Sequence, residues 1–425
     1  MEYIDSIEFM SKTYDKEIRL GLERIKELLG LLDNPQDNLK FVHVAGTNGK
    51  GSVCAMTAEI LKFAGYKTGM FTSPVIWDYR EQFVVDGHMI TEEEFCSYAF
   101  DIKQVCDQMI VKPSEFEKCV ALAFLYFHRK KCDIVVLEVG MGGDLDATNI
   151  IASPEVAAIV NIDYDHMTFL GNTLMEIADK KAGIIKENSS LVLADQNPHV
   201  MQLIKNRCKE KNSKCFETSI KDIRITATSI RGQIISYKKY QNLELNLLGE
   251  HQSQNGAIVL EIIDCLISNG YRIDDNAIRQ GLKKVQWKGR FDVLLTDPVV
   301  ILDGAHNPDG IEALRHNLLE YFPDKKFVFI VGILRDKDYS SMIKYMMPLA
   351  EAFVTIEPNN SRAMSAIECS NAIRDARYDG KVYVSQNYWD AITRAYGLSK
   401  GIYPVCAFGS LYSLGELYEK IDKIS

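Results

Sequence analysis

Three features of the sequence predict an α/β fold built from two successive domains. A short apolar run at residues 41–45 leads into the glycine-rich segment Gly46-Thr47-Asn48-Gly49-Lys50-Gly51-Ser52 and then into a helical pattern at 53–64. Further apolar runs at 133–139, 156–162 and 191–194 are separated by helical segments. The same alternation restarts near residue 298, with runs at 299–303, 327–332, 352–356, 382–385 and 405–409. Continuous apolar strands alternating with helices are the pattern of a parallel sheet covered on both faces. The expected architecture is a mostly parallel sheet domain carrying a P-loop and an antiparallel addition, followed by a smaller Rossmann-like α/β domain.

Taken in order, residues 18–32 place apolar side chains at helical spacing until Asn34-Pro35 stops them. Between 223 and 248 the runs become short and alternating around Arg231-Gly232 and Gln241-Asn242, the pattern of antiparallel hairpins. Helical patterns at 252–269 and 274–285 then lead to Trp287-Lys288-Gly289-Arg290. These features divide the chain into a first domain at 1–287, a linker at 288–297 and a second domain at 298–425.

A chain of 425 residues is long enough for two or three separate cores, and 47% apolar with 25% charged residues is ordinary globular composition. The 49 Lys and Arg residues against 58 Asp and Glu give a net charge of −9, which offers no long-range attraction to nucleic acid or an anionic membrane. An anionic substrate would need a local basic pocket. Apolar runs fall short of the ~18–20 residues that span a bilayer, and the start of the chain lacks a basic region followed by an apolar core. The ten cysteines stand singly, without C-x-x-C or zinc spacing. Reduced thiols and a cytoplasmic location are expected.

The segment Gly46 to Ser52 has what a nucleotide phosphate needs. Small residues let backbone N–H groups turn inward, a helix start presents its positive end, and Lys50 adds a charge. Ser52 could hold Mg²⁺ through its hydroxyl. The strict G-x-x-x-x-G-K-[ST] pattern is not met, because Val44 occupies the first glycine position and Gly51 separates Lys50 from Ser52. A glycine-rich turn with a solvated lysine is the plainer alternative.

Glu138 lies at the carboxyl end of one expected strand, and Asp163, Asp165 and His166 follow the end of another, where ligands collect in open α/β sheets. Glu138 with Ser52 or Ser73 would suit Mg²⁺, which prefers carboxylate and hydroxyl oxygens. Alone, Glu138 could equally be a buried ion-pair partner and His166 a capping or core histidine. Gly140-x-Gly142-Gly143 lacks the third spaced glycine of a dinucleotide fingerprint, so with DLDATN it reads as a tight substrate loop. In the amphipathic helix at 177–185, Lys180 and Lys181 are solvated by default.

Together these stretches resemble the folylpolyglutamate synthase and dihydrofolate synthase family of Mur-type ATP-dependent amide ligases. The match follows the family order through LGLERIKELLGLLDNP, VAGTNGKGS, FTSP, SEFE, EVGMGGDLDATN, DYDHMTFLG, KAGI, GEHQSQN, WKGRF, LDGAHNP, SRAMSAIE and FGSLY. The resemblance implies that Gly46, Thr47, Asn48, Gly49, Lys50, Gly51 and Ser52 cradle ATP. Asn255, Arg290, Asp303 and His306 would complete the nucleotide site. It implies two Mg²⁺ ions at Ser52, Ser73, Glu138, His166 and a carbamylated Lys181, with Lys50, His166 and Lys181 as the catalytic set.

Folate contacts would come from Leu20, Gly21, Leu22, Ser114, Glu115, Phe116, Glu117, Leu145, Asp146 and Ala147, and glutamate contacts from Arg362 and Ser410. The implied partners are folates and L-glutamate, without nucleic acid or membrane, on a monomer. Five positions depart from the family pattern: Val75 for a histidine, Gln82 and Asp144 for arginines, Lys180 for a glutamate and Lys288 for a proline. Gln82 and Asp144 are expected to weaken the grip on anionic folyl tails. A nucleotide-dependent switch that has lost ligation is the competing class. A hydride-transferring Rossmann enzyme is a third, weakened by the incomplete glycine fingerprint.

Overall fold

The computed structural model describes residues 1–14 and 20–423. The helical expectation at 18–32 therefore begins outside the described residues. Within them the helix is Glu23–Gly30, and left-handed Asp33 and Asn34 ahead of Pro35 end the segment.

The first sheet contains β1 (Phe41–Ala45), β2 (Thr68–Phe71), β3 (Phe83–Val85), β4 (His88–Met89), β5 (Ile134–Glu138), β6 (Val156–Ile159), β7 (Ser190–Leu193) and β8 (Lys214–Glu217). Their spatial order is β4-β3-β2-β5-β1-β6-β7-β8, parallel except for the β2–β3 and β3–β4 pairs. Strand β1 is central, with Val44 in register with Glu138 on one side and Ala158 on the other. The loops leaving β1, β5 and β6 therefore emerge together at one sheet edge.

β1 and β5 are buried along their whole length because both faces are covered. On one face Val42, Val44, Val136 and Ala158 pack with the Lys50–Phe63, Glu250–Ser268 and Asp275–Lys284 helices. On the other, Phe41, Val135 and Leu137 meet the Glu115–Lys130 helix, while Ala157 and Ile159 meet the Leu174–Ala182 and Pro198–Glu210 helices.

The antiparallel addition is a three-stranded sheet of β9 (Ile223–Ser229), β10 (Gly232–Tyr237) and β11 (Tyr240–Leu245). Its first hairpin turns before Gly232 as the sequence predicts. The second turns at residues 238–239, so Gln241 and Asn242 belong to β11 rather than to a turn. Asn242 has a positive φ of 52° at an irregularity of the ladder, where its N–H donates to Ser236 Oγ at 3.0 Å, which is why it reads as a turn in sequence.

The second sheet is β12 (Asp292–Thr296), β13 (Val299–Leu302), β14 (Phe327–Val331), β15 (Ala350–Thr355), β16 (Lys381–Val384) and β17 (Val405–Phe408). Its order is β12-β13-β17-β14-β15-β16, parallel apart from the β12–β13 hairpin. Residues 292–296 of the expected linker thus form an edge strand of this sheet, and the crossing between sheets is shorter than the sequence suggests.

Candidate functional site

The loop after β1 is held so closely that side chains would not fit. A Cβ on Gly46, whose φ is 150°, would lie 2.1 Å from Val160 Cγ2, and one on Gly49, at φ 95°, would lie 2.5 Å from Asn255 Oδ1. Thr47 N donates to Asn161 O at 2.7 Å, and Thr47 Oγ1 both donates to Asp163 O and accepts from Asp163 N at 3.0 Å. Gly49 precedes the helix Lys50–Phe63, so the backbone amides of its first turn face the loop. The helix begins at Lys50, three residues before the apolar pattern shows it.

Lys50 is not a solvated loop lysine. Its side chain is 16% exposed, donates from Nζ to Thr47 O at 3.1 Å and lies 3.9 Å from Glu138 Oε1. Glu138 also accepts from Ser73 N at 3.1 Å; burial raises its pKa, and Lys50 opposes that shift. The ion-pair and cleft readings of Glu138 therefore describe the same geometry. Ser52 Oγ accepts from Gln252 Nε2 at 3.2 Å, and Gln252 Oε1 accepts from Asn255 Nδ2 at 3.0 Å, so one helix face supports the loop.

Lys180 and Lys181 part company. Lys180 has a 41% exposed side chain, as the default predicts, and pairs with Asp144 Oδ2 at 3.1 Å. Lys181 is 4% exposed and donates to Gly46 O at 2.7 Å across the sheet edge. Burial, reinforced by Lys50, lowers its pKa to about 7. His166 precedes the short helix Met167–Leu170 with φ 48° and a 47% exposed side chain, so it is not a core histidine. The partial desolvation of its ring lowers its pKa, with Asp165, at 3.9 Å, opposing.

The second domain reaches this edge at two places. Lys337 pairs with Asp165 Oδ1 at 3.0 Å; burial works to raise the pKa of Asp165, but His166 and Lys337 hold it well below the usual carboxylate range. Asn48 donates to Asp309 Oδ2 at 2.6 Å and accepts from Asn307 Nδ2 at 3.3 Å. Nearby, Asp303 accepts from Phe291 N and Ala305 N, both at 2.7 Å, and burial lifts its pKa to about 6 against Arg290. His306 Nδ1 donates to Gly304 O at 2.8 Å, and burial lowers its pKa to about 4. Sequence reasoning missed Gln252, Asn307, Asp309 and Lys337; Gln252 lies in the GEHQSQN stretch and Asn307 and Asp309 in or just after LDGAHNP, the signals that could have found them, while Lys337 lies in neither.

Asp146 organises the 140–147 loop, accepting from Met141 N at 2.8 Å, Thr148 N at 3.0 Å and Thr148 Oγ1 at 2.5 Å. Beside it Leu145 is exposed and Ala147 buried. Phe116 packs on Gly140, while Ser114 and Glu117 form a capping box in which Glu117 also accepts from Arg24 Nε at 3.0 Å. Glu115 accepts from Tyr79 OH at 3.1 Å. Of the N-terminal trio, Leu20 is exposed, Gly21 has φ 148° and Leu22 packs on the core. On the second domain, exposed Arg362 pairs with Asp336 at 2.6 Å, and buried Ser410 caps the turn after β17 through Tyr412 N at 3.2 Å.

Gln82 and Asp144 both have partners within the chain. Gln82 is buried and donates to Tyr79 O at 3.2 Å, so its amide is engaged within the chain. Asp144 is committed to Lys180, so two departures from the family pattern, an acid for a base and a base for an acid, compensate each other. Asp144→Arg should therefore lower Tm through repulsion with Lys180, and adding Lys180→Glu should restore it. As an exposed pair its net worth is about 0–1 kcal/mol, so Asp144→Ala alone should cost no more than that by denaturant titration. Lys288, another departure, holds its Nζ 4.3 Å above the Trp77 ring and 5.2 Å from that of Tyr418, joining the first domain to the last helix.

The Mur ligase middle domain matches residues 44–263, and the Mur ligase glutamate ligase domain matches residues 289–410. The fold is that of the Mur-type ligases. A Bacillus subtilis (strain 168) dihydrofolate synthase/folylpolyglutamate synthase is 37% identical over 79% of this chain and 80% of its own. A Mycobacterium tuberculosis folylpolyglutamate synthase complexed with ADP superposes with TM-score 0.89 at 28% identity, covering 98% of each chain. An FPGS–AMPPCP–folate complex gives TM-score 0.86 at 27% identity over 99% of this chain and 100% of that one. The chain belongs to the folylpolyglutamate synthase/dihydrofolate synthase family.

Proposed function

We propose that this protein is an ATP-dependent ligase that adds L-glutamate to tetrahydrofolate and folyl-polyglutamates through an acyl phosphate, and that it also converts dihydropteroate to dihydrofolate. The observation that carries this is the meeting of Lys50, Glu138 and Lys181 at one sheet edge, under a second domain that touches Asn48. The relatives support the substrate class, because one is named for both activities and another structure holds an ATP analogue with folate.

The folyl carboxylate oxygen attacks the γ-phosphorus of ATP and the bond to the bridging oxygen breaks, releasing ADP. The glutamate amine then attacks the acyl carbon, phosphate leaves, and the amine loses its proton. Residues 46–52 hold the phosphates, Lys50 offsets the charge of the transferring group, and Asn255, Arg290, Asp303 and His306 hold the rest of the nucleotide. The folyl substrate lies along Leu20, Gly21, Leu22, residues 114–117 and residues 145–147. Arg362 and Ser410 receive glutamate. Closure of the second domain, which begins with β12, onto the first excludes water from the acyl phosphate.

Among the described residues no three His, Cys, Asp or Glu side chains group as a metal cage. Such a site nonetheless fits Mg²⁺, which takes few carboxylates and fills its shell with water and substrate phosphate. Glu138, Ser52, Ser73, His166 and carbamylated Lys181 would hold two ions, which when bound supply charge compensation on the phosphoryl oxygens. Among the described residues no helix is long and apolar enough to cross a membrane, and we read the protein as a cytoplasmic monomer. Supplied with MgATP and glutamate, it should release phosphate only when tetrahydrofolate or dihydropteroate is added, with one glutamate joined per phosphate. Phosphate release without ligated product would leave an ATP-hydrolysing switch that has lost ligation. Extension of tetrahydrofolate without formation of dihydrofolate would remove the second activity.

A further inference from the structure

His43 stands in the middle of β1, three residues before the phosphate loop, and is fully buried. Its neighbours on the same strand face, Phe41 and Ala45, belong to apolar clusters, so packing alone would be served by an aliphatic side chain. Its Nε2 instead lies 2.9 Å from Thr148 Oγ1, and that hydroxyl lies 2.5 Å from Asp146 Oδ1. A carboxylate only accepts, so the Thr148 hydroxyl donates to Asp146 and accepts from His43 Nε2–H. This fixes the tautomer and leaves Nδ1 a bare acceptor, which has no partner among the described residues. A buried unpaired acceptor is a cost that an apolar residue would avoid. Burial, with Lys186 adding to it, lowers the imidazole pKa to about 3, so the ring is neutral at any working pH. The other oxygen of Asp146 accepts from Met141 N at 2.8 Å.

We propose that His43 is a positioning residue, one end of a buried strut, His43–Thr148–Asp146–Met141, that fixes the 140–147 loop against the strand feeding the phosphate loop. Resting on the ligase reading above, its role is to keep the folyl carboxylate within attack distance of the γ-phosphate, a step sensitive to displacements of about 1 Å. A residue needed only for packing would show itself in stability. A strut shows itself in kcat and in the dependence of His43 on Thr148.

Steady-state kinetics and Tm are measured for wild type, His43→Leu, His43→Gln, Thr148→Val and the double variant His43→Leu/Thr148→Val. The expected result is a fall in kcat of about tenfold or more for His43→Leu, with KM for MgATP unchanged and Tm within a few degrees of wild type. His43→Gln, whose amide can still donate to Thr148, recovers most of the rate. The double variant is no slower than the slower single one, because both cut the same strut. His43→Leu within twofold of wild-type kcat, additive losses in the double variant, or a loss that tracks Tm and is not recovered by glutamine would each overturn the proposal. Failure of the wild-type protein to release phosphate with folate would overturn the ligase reading instead, leaving the two separable.

Discussion

Lys50→Ala is expected to lower ligase kcat/KM by at least about 10²–10³-fold, because the charge that meets the transferring phosphoryl group is lost where donors count most. The variant should still fold, since Lys50 lines the loop and contributes no apolar side chain to the core. Its stability should change with pH in one direction. Burial raises the pKa of Glu138 in the folded state, and Lys50 is the first influence opposing that shift. Between the unfolded and folded pKa the native state binds more protons, so stability falls as pH rises through that window. Without Lys50 the folded pKa rises further and the window extends upward, so the variant should match wild type at acid pH and fall below it toward neutrality. Adding Glu138→Gln should remove that pH-dependent deficit without restoring turnover. Denaturant titration at several pH values reads the first effect and phosphate release the second; a Lys50→Ala enzyme within a few-fold of wild type at saturating MgATP would dismiss the phosphate-loop assignment.

The parts of this molecule legible in sequence are those set by local pattern. β1, β5 and β6 are predominantly apolar runs, interrupted only by His43 in β1 and ended by Glu138 in β5, because both faces of the sheet are covered, and the glycine segment announces itself by composition. β8, reading Lys-Cys-Phe-Glu at the sheet edge, is too mixed to stand out, and β2, β3 and β4, of four, three and two residues, are too short to show a period. The catalytic geometry is legible only in part, for a related reason. Glu138 is placed by strand register, and its position beside Val44 follows from the parallel pairing of β1 with β5. Pairs such as Asn48–Asp309 and Asp165–Lys337 join residues far apart in sequence across two sheets, and no periodicity encodes them. The separation of Lys180 from Lys181 is the sharpest case: adjacent lysines on one helix differ in burial because 3.6 residues per turn sends one toward Asp144 and the other beneath Gly46.

That burial makes Lys181 chemically unlike an ordinary solvated lysine. With its pKa lowered to about 7, roughly half of its amines are neutral at neutral pH, against about one in ~10³ for an ordinary lysine. A neutral amine adds carbon dioxide, forming an N–C bond and releasing one proton, and the product is a carbamate bearing a carboxylate-like pair of oxygens. The nitrogen would keep one N–H, enough to preserve the hydrogen bond to Gly46 O, and the new oxygens would bring negative charge to a group on which the charge of Lys50 already acts. The same burial sets a stability slope. Since the folded pKa lies below the unfolded one, the unfolded state binds more protons between about 7 and 10.5, and Lys181 destabilises the fold less as pH rises through that window. Lys181→Ala should therefore lose less stability than wild type as pH falls from about 10.5 to 7, yet be nearly inactive, and short-chain carboxylic acids should restore part of its turnover by supplying the missing oxygens. Lys181→Arg keeps a cation that cannot lose its proton, and should be inactive and not rescued. A mass gain of one carbon dioxide that disappears on acidification would identify the carbamate directly. An active Lys181→Arg enzyme would eliminate it, because arginine retains the charge and lacks the amine chemistry.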